Sequence, residues 1–154
     1  MHRRRGLVVA IVGVISIALV VGAVGGALAA ADNSVSAKLT GKDEVPGPGD
    51  DDGSGEAALN LKKKKKKISF NISFEGIQNP VAGHIHKGTK KVAGPIKVTL
   101  FENQAGVPSP VSGTVKAKKK LIKKIQNDPN GWYVNLHTPD FPGGAIRGQL
   151  KPGG

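Results

Sequence analysis

Short segments in which apolar and polar residues alternate, divided by turns rich in glycine and proline, make up most of this chain. The clearest pair lies in residues 131–150, GWYVNLHTPDFPGGAIRGQL, where Trp132, Val134 and Leu136 would face a core. Alternation with a period of two is typical of a half-buried β-strand, and the Pro-Gly-Gly linker predicts a tight turn between two strands. We therefore expect an all-β protein.

One segment departs from this alternation. In residues 118–127, Leu121, Ile122 and Ile125 have helical spacing, and the sequence NDPNG ends the segment. We expect about eight strands in the roughly 120 residues after residue 31, with one short helix before the last strand pair. This number and spacing of strands predict a Greek-key or immunoglobulin-like β-sandwich.

The first 31 residues have the composition of a targeting segment. Residues 1–5 are basic, residues 7–24 are apolar and uncharged, and residues 25–31 are small and offer Ala-x-Ala cleavage sites. This order predicts a secretory signal peptide. A membrane anchor is the alternative, because the apolar run reaches the ~18 residues that a span needs. In both cases we expect the domain of residues 32–154 to be extracytoplasmic, either secreted or at the outer face of the cell membrane, with membrane contact only through an uncleaved N-terminal segment.

The chain contains no cysteine, and Met1 is its only methionine. Disulfides and thiolate metal ligands are therefore excluded, and so is a blue-copper site built on Cys and Met. Any metal in the domain must be held by histidine or carboxylate groups.

Lysine is concentrated in two runs, and these contribute much of the net charge of +12. The second run comprises residues 118–120 and 123–124. Such runs are typical of surfaces that bind anionic polymers or lipid head groups, and also of solvated turns that keep a protein soluble. No aromatic residue interleaves with them, so specific nucleic-acid binding is not expected. The first run consists of Lys62, Lys63, Lys64, Lys65, Lys66 and Lys67.

Three histidines fall on one face of the predicted strands. His84 and His86 flank a single residue, so their side chains leave the same face of one strand about 6.6 Å apart. The alternation also places His137 and Arg147 on this outward face, opposite the core. Three imidazoles with an open position are a known geometry for zinc or copper. In the alternative interpretation, the histidines only hydrogen-bond loop backbone.

No other catalytic arrangement is visible in the sequence. The carboxylates do not form the facing pair that a glycosidase needs, and the serines lack a nucleophile elbow.

Three stretches of the sequence resemble the CHRD domain, which is named from chordin and also occurs alone in exported microbial proteins. They are SAKLTGKDEVP near the start of the domain, GHIHKG followed by GPIKVTLF, and DPNGWYVNLHTPDFPGGAIRGQL. The likeness spans residues 34–150, although the lysine runs depart from the family's usual polar or acidic turns. Chordin is a secreted signalling antagonist, so the resemblance implies binding rather than catalysis.

A second likeness is to the copper/zinc superoxide dismutases, which are also Greek-key sandwiches. The order of an H-x-H strand, a later histidine and a Gly-Arg strand is similar in both. This likeness implies that His84, His86 and His137 are copper ligands and that Arg147 guides an anion or supports the ligands. The chain has no counterpart of the bridging histidine, the zinc ligands or the disulfide.

We therefore expect a binding or structural module of the cell envelope, which recognises a protein or another envelope ligand. We do not expect it to be an enzyme. Its three histidines would hold copper, with zinc as the weaker candidate. A copper-dependent, superoxide dismutase-like redox protein is one alternative. Binding of anionic polymers or lipid head groups through the lysines is the other.

Overall fold

In a computed structural model, residues 33–153 form nine strands, one α-helix and two short 3₁₀ turns. The predicted signal peptide or anchor, residues 1–31, lies outside the described residues. No helix within residues 33–153 is long and apolar enough to cross a membrane. The strands and the helix are, in chain order, β1 (Ser34–Thr40), β2 (Ser54–Lys62), β3 (Lys67–Glu75), β4 (Ala82–Lys87), β5 (Ile96–Glu102), β6 (Val111–Lys116), α1 (Lys119–Asn127), β7 (Trp132–His137), β8 (Ile146–Gln149) and β9 (Lys151–Pro152).

The strands form one antiparallel sheet in the order β5-β4-β7-β8-β1-β2-β3-β6, with β9 added beside β1. The central connection is made by β1, which pairs with β2 on one side and with β8 on the other. The predicted all-β class and the short helix before the last strands are thus confirmed.

The prediction of a β-sandwich is wrong, because the strands do not divide into two packed sheets. The single sheet curls until its edge strands β5 and β6 approach each other, giving a nearly closed, barrel-like shape. Phe101 of β5 lies 6.4 Å from Phe70 of β3, measured between ring centroids. Gly113 of β6 provides the space for this contact, since a Cβ there would lie 2.7 Å from the Phe70 ring.

The apolar side chains of the alternating strands point into the curled sheet. Ile122 and Ile125 of α1 are fully buried and close part of this core. The helix therefore packs against the core through the apolar side that its residue spacing predicted. The strand residues at the centre of the core include Leu39, Leu61, Ile68, Ile72, Ile85, Val134, Leu136 and Ile146.

A second buried layer lies on the opposite face of β4, β7 and β8. The sequence placed the three histidines and Arg147 on the face opposite the core, and the structure has them there, but it did not indicate that this face is covered. Loops 41–53, 88–95 and 138–145 cover it, so Tyr133 is only 2% exposed and Arg147 only 1%. We call these side chains the polar layer: His84, His86, Tyr133, Asn135, His137 and Arg147.

Candidate metal centre

The pairing of β4 with β7 brings the three histidines of the polar layer together. Ala82 lies opposite His137 and His84 lies opposite Asn135, so His137 is the diagonal neighbour of His84. The ring centroid of His84 is 5.0 Å from that of His137 and 5.6 Å from that of His86, and the third separation is 6.1 Å. One ring nitrogen from each histidine lies within 4.8 Å of the other two. We call this group the three-histidine cluster.

Two of the three imidazoles have a defined tautomer. The Nδ1 atom of His86 is 2.9 Å from the carbonyl oxygen of Gly94, and Nδ1 of His137 is 3.0 Å from that of Pro142. A carbonyl oxygen only accepts, so Nδ1 carries the proton and donates it in both residues. The lone pair is therefore on Nε2, and both Nε2 atoms are buried without a hydrogen-bond partner among residues 33–153.

His84 is oriented less strongly than the other two histidines. Its ring nitrogens are buried, and neither has a hydrogen-bond partner in the described part of the chain. Nε2 lies 3.7 Å from Oε1 of Glu102, too far for a hydrogen bond but close enough for the carboxylate to favour a proton there. This arrangement leaves the lone pair on Nδ1.

Burial keeps all three imidazoles in their neutral, ligand-competent form. Desolvation lowers the pKa of His84 against the opposing influence of Glu102, and it lowers the pKa of His86 against the bond to Gly94. The pKa of His137 falls from 6.5 to about 4, mainly through burial and partly through its two histidine neighbours. A neutral imidazole is the form that binds a metal ion.

The 88–95 loop is held over the cluster by a stack of three side chains. The rings of His86 and Tyr133 lie 4.7 Å apart and 11° from parallel, and the Arg147 guanidinium covers the other face of Tyr133 at 3.5 Å. The Tyr133 hydroxyl accepts a hydrogen bond from the Gly94 amide at 2.9 Å. Arg147 Nη2 donates to the carbonyl oxygen of Thr89 at 2.9 Å.

Two roles were predicted for Arg147, guiding an anion or supporting the metal ligands. These contacts favour the second role. Its guanidinium lies under the loop and holds loop backbone, rather than facing solvent where it could attract an anion. Gln149, which lies opposite Tyr133 on β8, donates through its side-chain amide to the carbonyl oxygens of Gly88, Asn130 and Trp132.

Glu44 lies beside the polar layer, next to Asn135, and was not predicted as a site residue. Its carboxylate is buried and accepts a hydrogen bond from Asn135 at 3.3 Å. Burial raises the pKa of Glu44 to about 7, and the positive charge of Arg147 limits this increase. Glu44 follows the short turn after β1, where no alternation exists to assign it to a face. The stretch SAKLTGKDEVP, which carries part of the family resemblance, contains Glu44, but nothing in it assigns this carboxylate to the site.

The six lysines of the first run are not part of this site. They form the turn between β2 and β3, which are separated from β4 and β7 in the sheet order by β8 and β1. Only the histidines and Arg147, among the predicted site residues, come together in one layer.

The three-histidine cluster is suited to a transition-metal ion. It offers three neutral nitrogen ligands, and two of them are oriented by hydrogen bonds from their second nitrogen to backbone carbonyls. Such outer bonds are the usual support of metal-binding histidines. The buried, unpartnered lone pairs are atoms that a metal would satisfy.

Comparison with known proteins identifies one family. The family model of the CHRD domain matches residues 35–150, which confirms the resemblance inferred from the sequence motifs. No curated protein and no solved structure gives a significant match to the chain. The likeness to copper/zinc superoxide dismutases stays a prediction.

Proposed function

The chain belongs to the CHRD domain family, and we propose that it is an exported binding module of the cell envelope that holds a copper ion through His84, His86 and His137. The convergence of three imidazole nitrogens within 4.8 Å of one another is the observation that carries this proposal. The matched residues 35–150 include all three histidines.

The energetic cost of burying ring nitrogens without hydrogen-bond partners supports a bound ion. A buried polar atom without a partner costs about 1–3 kcal/mol. His84 contributes two such atoms, and His86 and His137 contribute one each. A metal would satisfy one nitrogen of each histidine.

Copper is favoured over zinc by the type of ligand. With nitrogen and oxygen ligands, divalent copper binds more tightly than divalent zinc, and imidazole suits both ions. The chain has no cysteine that could shift the preference. We therefore propose copper as the ion that binds more tightly and zinc as a weaker competitor.

Binding rather than dismutation is the role proposed for the metal. A dismutase-like mechanism needs a cation that draws superoxide towards the copper. Arg147 is the only such candidate in the motif, and it lies under the 88–95 loop with its guanidinium stacked on Tyr133. Export is supported by the signal-like composition of residues 1–31.

Metal titration of the purified full-length chain tests the proposal. We expect one copper ion per chain, measured by calorimetry and elemental analysis, with an increase in the unfolding temperature on loading. His86→Ala and His137→Ala should each abolish stoichiometric binding. His2→Ala is the matched control, because it removes the only other histidine and should leave the stoichiometry unchanged.

Failure to bind copper or zinc stoichiometrically would overturn the proposal, as would equal binding by wild type and His137→Ala. Superoxide dismutation by the copper-loaded chain, lost in His137→Ala, would replace the binding role by a catalytic one.

A further inference from the structure

The first lysine run and the start of the second, far apart in the sequence, meet at one end of the sheet. The first run forms the turn between β2 and β3. Pairing of β3 with β6 then places Lys67 opposite Lys116, and the amide of Ala117 donates to the carbonyl oxygen of Lys66 at 2.9 Å. The helix α1 begins immediately afterwards. We call this surface the lysine end; it comprises Lys62, Lys63, Lys64, Lys65, Lys66, Lys67, Lys116, Lys118, Lys119 and Lys120.

No carboxylate in the described part of the chain is paired with the positive charge of the lysine end. None of these lysines forms a salt bridge with a carboxylate in residues 33–153, and eight of the ten are exposed. The first turn of α1 also lacks an acidic residue, although the helix dipole favours one there. A groove of about 410 Å³ runs through the surface between residues 65–67 and 116–118. So many unpaired like charges repel one another unless an anionic partner is present.

The N-terminal segment enters the domain beside this surface. Asn33, the first described residue, accepts a hydrogen bond at its carbonyl from the amide of Leu61 at 2.6 Å. Its side-chain oxygen accepts a second bond, from Gln126 of α1 at 2.7 Å. Leu61 directly precedes the first lysine run, and Gln126 belongs to the helix that the second run opens. The chain therefore joins the domain at the lysine end.

We propose that the lysine end binds the phosphate groups of anionic lipids at a membrane surface. The apolar segment of residues 7–24, before cleavage or as a retained anchor, brings that end of the domain to the bilayer. Eight residues separate Val24 from Asn33. Because an extended chain spans about 3.3–3.6 Å per residue, this connection keeps the lysine end within about 30 Å of the segment.

A lipid surface fits these observations better than a soluble polyanion. Each lysine close to an anionic bilayer contributes separately to the binding energy, and it does so without the bidentate geometry that arginine supplies. The lysine end contains lysine alone and no aromatic residue that could stack on a base. The position of the apolar segment supplies the proximity that a membrane surface needs.

Amide hydrogen exchange of the full-length chain in lipid vesicles tests the proposal. The chain is reconstituted in vesicles of phosphatidylcholine alone or of phosphatidylcholine mixed with phosphatidylglycerol. We expect the peptide covering residues 61–68 to exchange several-fold more slowly in the anionic vesicles, and about 1 M salt to remove this difference.

Two triple variants make the test specific. Lys64→Gln, Lys65→Gln and Lys67→Gln together should remove most of the difference between the two vesicle types. Lys38→Gln, Lys97→Gln and Lys151→Gln together remove the same charge from exposed strand positions outside the lysine end and outside the loops over the polar layer, and should leave the difference intact. Both sets of substitutions lie outside the three-histidine cluster, so copper binding is a separate readout.

Equal exchange in both vesicle types would overturn the proposal. It would also be overturned if the control variant lost the difference as fully as the lysine-end variant. Protection by soluble inorganic polyphosphate in neutral vesicles, without protection by anionic vesicles, would assign the surface to a soluble polyanion instead.

Discussion

The guanidinium of Arg147 and the ring of Tyr133 lie face to face, with 3.5 Å between the guanidinium carbon and the ring centroid. The opposite face of Tyr133 is stacked on His86, so a cation and a proposed metal ligand are joined through one aromatic ring. The geometry of His86 therefore depends on residues of both β7 and β8.

Replacement of Arg147 by lysine should destabilise the protein although it keeps the charge. The change removes the planar stack on Tyr133 and the bond from Nη2 to Thr89, since an ammonium cannot reproduce either geometry. We expect the free energy of unfolding to fall by about 2–3 kcal/mol in urea denaturation. Tyr133→Phe keeps the stack and should cost only about 1 kcal/mol. An unchanged stability for Arg147→Lys would contradict this account.

Gly94→Ala should disturb the loop that orients His86. A Cβ at this position would overlap with the carbonyl oxygen of Lys87, so the 88–95 loop must shift and the bond that His86 Nδ1 donates to the Gly94 carbonyl must lengthen. We expect a stability loss of about 1–3 kcal/mol, as for other overpacked sites. Copper affinity should fall about 10- to 100-fold, as when a supporting contact of a metal ligand is lost.

Gly143→Ala is the matched control for the change at Gly94. A Cβ on Gly143 would meet no atom within 4 Å in the described structure. Both stability and copper affinity should match the wild type, measured by the same denaturation and calorimetry. If Gly94→Ala behaves like this control, the 88–95 loop does not support the cluster.

Glu44 should make the protein less stable in alkaline solution. Its pKa is about 7 in the folded protein and near 4.5 when unfolded, so the folded state binds the proton more tightly. The stability from this group is complete below pH 4.5 and is lost as the pH rises through 7. The neighbouring charges are Arg147, which opposes the shift, and Asp43, which adds to it.

Glu44→Gln isolates this contribution. The variant keeps an oxygen that can accept the bond from Asn135 but has no titratable group. Between pH 5 and pH 8.5, the wild type should lose about 1–2 kcal/mol relative to the variant in urea denaturation. The quantity to compare is the difference in stability between the two proteins at each pH. His137 also changes the stability of both proteins: because its pKa is lowered to about 4 in the folded state, stability is lost as the pH falls from 6.5 through 4. Taking the difference cancels this effect. If the unfolding free energies of the wild type and the variant change with pH in parallel, Glu44 ionises in the folded protein without loss of stability.

Lys66→Gly should stabilise the turn between β2 and β3. Lys66 is the only residue other than glycine with positive φ in residues 33–153, at 53°. A left-handed conformation costs a side chain about 1–2 kcal/mol, and glycine loses about 0.5–1 kcal/mol through its greater freedom when unfolded. The expected net gain is small, on the order of 0.5 kcal/mol. Lys64→Gly, also exposed but without positive φ, should instead lower the melting temperature.

The strands were predictable because their alternation is a local property of the sequence. The number of sheets was not, since it depends on β1 pairing with both β2 and β8, and these contacts join distant residues. Alternation also separates the two faces of a strand without showing what covers each face. For that reason the sequence placed His86 and Arg147 on the correct face but did not show that loops bury them there.

The three-histidine cluster was predictable in part. The spacing of His84 and His86 puts them on one face, and pairing of their strand with β7 was the only further condition for including His137. Glu44 and Gly94 were not predictable as neighbours of the cluster, because both lie in irregular segments. Their positions depend on how the loops fold back, and no periodicity in the sequence records that.

The coverage of both faces of β7 has a consequence for how this domain can diverge. Five of the six residues from Trp132 to His137 are buried, whereas β6 has none that is fully buried. Neutral drift should therefore be nearly absent in β7 and concentrated in β6, so the two strands would evolve at very different rates.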